Sequence, residues 1–217
     1  AGYIDATVYR DQFYSAMKKR MGVEDETKVP LISEQKYARA LTPQGSGADR
    51  IAVVYASGDI VGGKGDGTQI AADDMAATLK RVRKDKKIKA VVFRIDSRGG
   101  SSLASDIIWR EAKLLAAEKP LIVSMSDVAA SGGYYIATPA RKIFAEPTTV
   151  TGSIGVFGLI PNAQKLLEDK MGLSFEYVGT GKHSDMGRID RPMKADEREY
   201  IESVIDKIYD TFLSRVA

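Results

Sequence analysis

From Asp49 onward, short runs of β-branched and apolar residues alternate with longer stretches in which apolar residues recur every three or four positions. That alternation constrains the fold more than any other feature, because strands separated by helices pair side by side through parallel crossovers. Ile51–Tyr55, Ala90–Ile95, Leu121–Met125 and Lys142–Phe144 read as strands, and Leu173–Val178 as a further one. A helix is expected from a cap at Asp73 or Asp74 to Lys84, with Met75, Leu79 and Val82 facing inward. Others are expected over Leu103–Glu118, over Pro161–Lys170, and as a long amphipathic helix from Ala195 to the end. The expected fold is an α/β domain with a mainly parallel sheet.

Residues 1–48 have a different character. Apolar residues at helical spacing predict a helix over Asp11–Met21, ended by Gly22, and the polar stretch that follows, with Pro30, Pro43 and Gly45, reads as a connector. The abrupt start reads as the tail of a preceding unit.

Composition removes several kinds of chemistry. Thirty-two basic against 29 acidic residues leave a net charge of +3, and the two signs are interspersed, so nothing favours a nucleic-acid partner. With no Cys, disulfides and thiolate nucleophiles are excluded, and the single His183 rules out a His-rich metal site. No metal or cofactor is expected. No apolar run approaches the ~20 residues that span a bilayer, and no signal-peptide pattern opens the chain, so this stretch reads as soluble.

The chemistry concentrates in Ser126–Ala137, where an apolar strand turns through small residues into a helix. A serine at such a corner projects its hydroxyl into a cleft, toward which the unpaired first N–H groups of the helix also point. Those donors would stabilise an anionic tetrahedral intermediate, which makes Ser131 a candidate nucleophile and Gly132 a donor. By itself the segment equally suits a small-residue helix packed closely on a sheet. Asp96–Ser102, with Gly99 and Gly100, follows a strand and opens a helix, as a second oxyanion donor or as a plain turn with a serine cap. Val150–Gly158 carries Ser153 among glycines, either orienting a catalytic base or capping a turn. Neither Gly99–Ser101 nor Gly62–Gly67 carries a phosphate-loop lysine or a full Gly-x-Gly-x-x-Gly.

In order, Asp-Ser-x-Gly-Gly-Ser, Ala-Ala-Ser-Gly-Gly-Tyr-Tyr and Thr-Gly-Ser-Ile-Gly-Val-Phe-Gly resemble the signal peptide peptidase SppA (protease IV) family, within the ClpP/crotonase superfamily of spiral β-β-α folds. The resemblance covers 49–217. Residues 1–48 resemble the connector and helix trailing the N-terminal repeat of the long two-repeat bacterial form, which would make 49–217 the C-terminal repeat. The glycine-rich segment expected after the last helix is not in the sequence.

The resemblance implies Ser-Lys hydrolysis of cleaved signal peptides and similar apolar peptides. Ser131 matches the nucleophile, Gly132 and the Gly99–Gly100 turn the oxyanion hole, and Ser153 the serine that holds the lysine. A lysine in a water-poor cleft loses pKa, becomes neutral and accepts the serine proton. The segment that carries this lysine in one-repeat members aligns here with Thr180–Asp185, placing Ser184 at the lysine position and Lys182 two places early, ~6–7 Å away along an extended chain. The family's two-repeat form takes its lysine from the N-terminal repeat, which fits that departure; Lys182 and His183 are the alternatives within this chain. Arg98 stands where the family usually has proline. Further implied are peptide substrates held by strand addition, the N-terminal repeat as partner, a ring-like homo-oligomer, and an upstream anchor to the bacterial cytoplasmic membrane with the catalytic part periplasmic. Rival readings are a non-catalytic scaffold repeat of the same assembly and a crotonase-like acyl-CoA enzyme.

Overall fold

A computed structural model describes residues 8–25, 29–33, 36–37 and 49–217, and the chain divides into two units, Ala1–Gly47 and Ala48–Ala217. In the first unit, α1 spans Arg10–Met21. It ends where Gly22 takes φ 67° and donates its N–H to the Lys18 carbonyl, a left-handed stop that glycine adopts without steric cost. The rest of the expected connector lies largely outside the described residues.

The second unit is built on a parallel sheet. Its strands are β1 (Arg50–Ser57), β4 (Ile88–Ser97), β5 (Leu121–Ala130), β6 (Lys142–Phe144) and β7 (Val150–Gly152). The order is β1-β4-β5-β6, with β7 also on β5, and every pairing is parallel. β5 divides one edge between two partners: Ile122–Ser124 run beside β6 and Val128–Ala130 beside β7. That division carries β5 beyond Met125, where its sequence stops looking like a strand, as far as Ala130. A two-stranded parallel ribbon of β2 (Ile60–Val61) and β3 (Ile70–Ala71) brackets Gly62–Gly67.

Helices α2 (Ala72–Lys84) and α3 (Ser102–Glu118) supply the crossovers. Alternate residues of the central strands, Val91, Phe93 and Ile95 with Leu121, Val123 and Met125, are buried with Leu79 of α2 and Ile108, Ala112 and Leu115 of α3. Fully burying each of these side chains other than Ala112 contributes about 1.5–3 kcal/mol. The period-two strand pattern thus meets the three-to-four helical pattern in one core. On β1 the same alternation buries Val54 and Ala56 while Ile51, Val53 and Tyr55 stay exposed.

Three local features differ from expectation. Ala71, not an aspartate, precedes α2; Asp73 and Asp74 lie in its first turn, and Asp74 accepts the Gly65 N–H at 2.9 Å. Leu173–Val178 alternates like a strand but belongs to no ladder among the described residues. Within Pro161–Lys170 the helix begins only at Gln164, and Leu166–Lys170 form a π-helical turn. The closing helix, α5 (Ala195–Val216), follows the four-residue helix α4 (Gly132–Tyr135) by some sixty residues (roughly 1.5 Å of rise for each if helical) yet packs beside it through Tyr135 and Phe212, rings 5.0 Å apart. Among the described residues no helix is long and apolar enough to cross a membrane.

Candidate active site

β5 ends at Ala130, α4 begins at Gly132, and Ser131 forms the corner with φ 51° and ψ −119°. A non-glycine residue in that region carries about 1–3 kcal/mol of strain and persists only where its surroundings hold it. They do here. The Ser131 N–H donates to the Gly152 carbonyl at 2.8 Å, and the Ser131 carbonyl accepts the Tyr135 N–H at 2.9 Å. With both backbone groups engaged, the side chain is left to the cleft, and among the described residues its hydroxyl has no hydrogen-bond partner.

The Asp96–Ser102 loop packs directly on this corner. A Cβ on Gly99, whose φ is 101°, would lie 2.6 Å from the Gly132 nitrogen and 3.0 Å from the Ser131 Cβ. A Cβ on Gly132 would lie 2.6 Å from Ser105 Oγ. Only glycine allows this approach. Around Gly100 the loop forms a parallel bridge to β2: the Ile60 N–H donates to the Gly99 carbonyl and the Ser101 N–H to the Ile60 carbonyl, both at 2.9 Å. In such a bridge the bonds belong to the flanking residues, so the Gly100 N–H points away from β2. The Gly99 N–H is already given to Ser97 Oγ at 3.1 Å. Of the two loop glycines, Gly100 is the one whose amide is available. Arg98 braces the loop from outside, its guanidinium donating twice to Asp59 at 2.7 and 2.9 Å. Those hydrogen bonds also hold the Asp59 carboxyl below the usual aspartate range.

Gly100, Ser131 and Gly132 line one cleft of about 660 Å³, within the size range of ligand sites. One wall is the start of α3, with Ser101, Ser105 and Asp106. Val156 and Phe157 contribute apolar surface, and α5 presents Val204, Lys207, Ile208, Thr211 and Phe212, spaced so that they share one helical face. Asp106 is tied down: the Tyr135 hydroxyl donates to it at 2.6 Å and Arg215 lies 3.5 Å from it. Burial, then the bond to Asp106, raises the Tyr135 phenol above its ordinary pKa. Arg215 stacks over Trp109, 3.6 Å from the ring centre, fastening the end of α5 to α3.

The other expected site residues lie elsewhere. Ser153 follows Gly152, the partner of Ala130, so it stands beside the end of β5 without lining the cleft. Lys182 is 77% exposed and pairs with Asp196 at 2.9 Å, with His183 3.9 Å from the same carboxylate. The Asp196 hydrogen bond, then its charge, raises the lysine's pKa, opposite to what a neutral amine base requires. Sequence reasoning missed Lys207, the only cation lining the cleft among the described residues. Its signal was its place on the helical face of Val204 and Ile208, which is recognisable only once that face is known to meet Ser131.

Comparison with known proteins agrees with this geometry. Residues 113–217, which include Ser131 and Ser153, match the model of peptidase family S49. The chain is 42% identical to the chloroplastic serine protease SPPA of Arabidopsis thaliana, over all of this chain and 33% of that protein. It is 35% identical to Protease 4 of Salmonella typhi over 99% of the chain and 34% of the relative. For Protease 4 of Haemophilus influenzae the figures are 36% identity, 78% and 27%. The chain therefore spans about a third of the length of these relatives. With the three ordered glycine-serine clusters meeting at one strand-to-helix corner of a parallel α/β fold, residues 113–217 belong to peptidase family S49, and the chain as a whole is similar to its SPPA and Protease 4 relatives.

Proposed function

We propose that this chain carries the nucleophile and oxyanion site of a serine peptidase that cuts extended apolar peptides, cleaved signal peptides among them. The observation that carries the reading is the strained Ser131 corner, whose hydroxyl opens into the same cleft as Gly132 and Gly100. Ser131 Oγ attacks the scissile carbonyl carbon. The developing oxyanion accepts hydrogen bonds from the Gly132 and Gly100 N–H groups, a contribution commonly of about 2.7–4 kcal/mol for one donor. The serine proton passes to a neutral lysine amine, which returns it to the departing peptide amine; water then releases the acyl group by the same route.

The lysine is supplied by a separate N-terminal repeat, and Ser153 orients its amine. Supporting this is the engagement of Lys182 with Asp196, outside the cleft. The same reading includes a ring-like homo-oligomer and an anchor upstream of this segment that places the site at the periplasmic face of the cytoplasmic membrane. The test is labelling with a serine-reactive fluorophosphonate, on the chain alone and with the N-terminal repeat added. Labelling of Ser131 only in the mixture is expected. Labelling by the chain alone, lost on Lys182→Met, would overturn the division of the site. No labelling in either sample would favour a scaffold role.

A further inference from the structure

The cleft contains a charge that peptide-bond chemistry leaves unused. Lys207 lines it between Val204 and Ile208, on the α5 face that looks toward Ser131 and Gly132. No ion pair involves Lys207 among the described residues, although Asp206 and Asp210 share its helix. Asp106, the only carboxylate lining the cleft among those residues, is engaged by Tyr135 and Arg215. Lys207 is exposed to solvent at the cleft, so its attraction for an anion seated beside Val204 and Ile208 is modest and weakens with salt. A single cation with Asp106 nearby suits a singly charged anion better than a phosphate.

We propose that Lys207 binds a carboxylate of the peptide held in the cleft and so determines which peptides are retained; this rests on the peptidase reading above. Two sources offer that group: the free C-terminus of a peptide already released by an earlier cleavage, or an acidic side chain within it. An apolar body beside a terminal carboxylate matches the apolar wall of Val156, Phe157, Val204 and Ile208 beside Lys207.

The test measures binding, not turnover, on the full-length protein carrying Ser131→Ala. Fluorescence anisotropy would compare an apolar peptide as free acid, the same peptide amidated, and the amidated peptide with one internal Glu. The expected result is tighter binding of the free acid or the Glu peptide than of the plain amide, by about three- to tenfold. The preference should fade with added salt, vanish in Lys207→Met and persist in Lys207→Arg. Which peptide gains identifies the source of the carboxylate. Equal binding of all three, a preference unchanged by Lys207→Met, or no binding at all would overturn the proposal. Parallel fluorophosphonate labelling of protein with Ser131 intact separates the two readings: Ser131 labelling beside indifferent peptide binding leaves the peptidase reading standing. Loss of labelling in Lys207→Met would also overturn the proposal, because it would make the lysine part of the proton transfer.

Discussion

Ser131 and Ser153 stand at the ends of neighbouring parallel strands, β5 and β7, and both have left-handed backbones, with φ 51° and 50°. They are the only non-glycine residues with positive φ among the described residues. The Gly152 carbonyl links the two corners by accepting the Ser131 N–H. Strain concentrated at two adjacent serines marks a place where side-chain chemistry is retained against backbone preference.

Replacing Ser153 by glycine should therefore stabilise the fold while impairing the site. Relief of the left-handed penalty is expected to gain about 0.5–1 kcal/mol, or about 1–4 °C in Tm for a domain of this size. Fluorophosphonate labelling of Ser131 in the presence of the N-terminal repeat should slow at the same time, since the hydroxyl proposed to orient the base is gone. Thermal melts and labelling rates on the same samples check this; a rise in Tm with unchanged labelling would assign Ser153 to turn formation alone.

Gly99→Ala tests the packing behind the proposed oxyanion donors, the Gly132 and Gly100 N–H groups. The added methyl would meet the Gly132 nitrogen at 2.6 Å and would strain a backbone already at φ 101°. Neither neighbour is the flexible end of a side chain, so the strand-to-helix corner must shift. The expected cost is about 1–3 kcal/mol of stability and at least about a hundredfold in the labelling rate. Urea melts and labelling kinetics measure the two parts separately.

The strands centred on Ile51–Tyr55 and Ala90–Ile95 were legible because β-branched residues crowd them, and the helices because their apolar spacing is regular. Leu121–Met125 was legible, but its continuation to Ala130 was not. Residues 126–130 lack a strand-like pattern and are extended by pairing with β7, a contact distant in sequence. Ser131 was recognisable from the local change of structure. The difference between Gly99 and Gly100 was not, since it depends on Ser97 Oγ taking one amide and on β2 bridging around the other. Lys207 was hidden for a related reason: nothing near it in sequence tells which face of α5 covers the cleft. Leu173–Val178 shows the reverse error, a period-two pattern without a neighbouring strand to complete it.

The entry to α5 should respond to acid. Glu197 is 1% exposed; Arg191 donates to both its oxygens at 2.6 and 2.9 Å, and the Lys194 N–H donates at 2.9 Å. The Arg191 hydrogen bonds, followed by that of the Lys194 backbone, lower its pKa from the ordinary 4.5 to about 2. The unfolded chain therefore takes up the proton first as pH falls. Stability from this group is fully present above about pH 4.5 and is lost progressively toward pH 2. Glu197→Gln should flatten the acid limb of stability in that window and lower stability at neutral pH. Chemical melts from pH 7 to 2.5 would show it; parallel acid limbs in the two proteins would refute the assignment.

Phe212 couples α5 to α4, the helix that begins beside Ser131. It is buried against Tyr135, ring centres 5.0 Å apart, and it also lines the cleft. Phe212→Ala should cost about 3 kcal/mol through lost burial and a residual cavity. The same substitution loosens the cleft wall that presents Lys207, so peptide affinity should fall even where the protein remains folded. Phe212→Leu keeps most of the apolar volume and should recover most of both losses, because the wall needs bulk more than aromaticity. If the leucine variant restores stability without restoring peptide affinity, the ring itself contacts the peptide. If it restores both, Phe212 acts by holding α5 in place, and the cleft depends on that helix as much as on the serine corner.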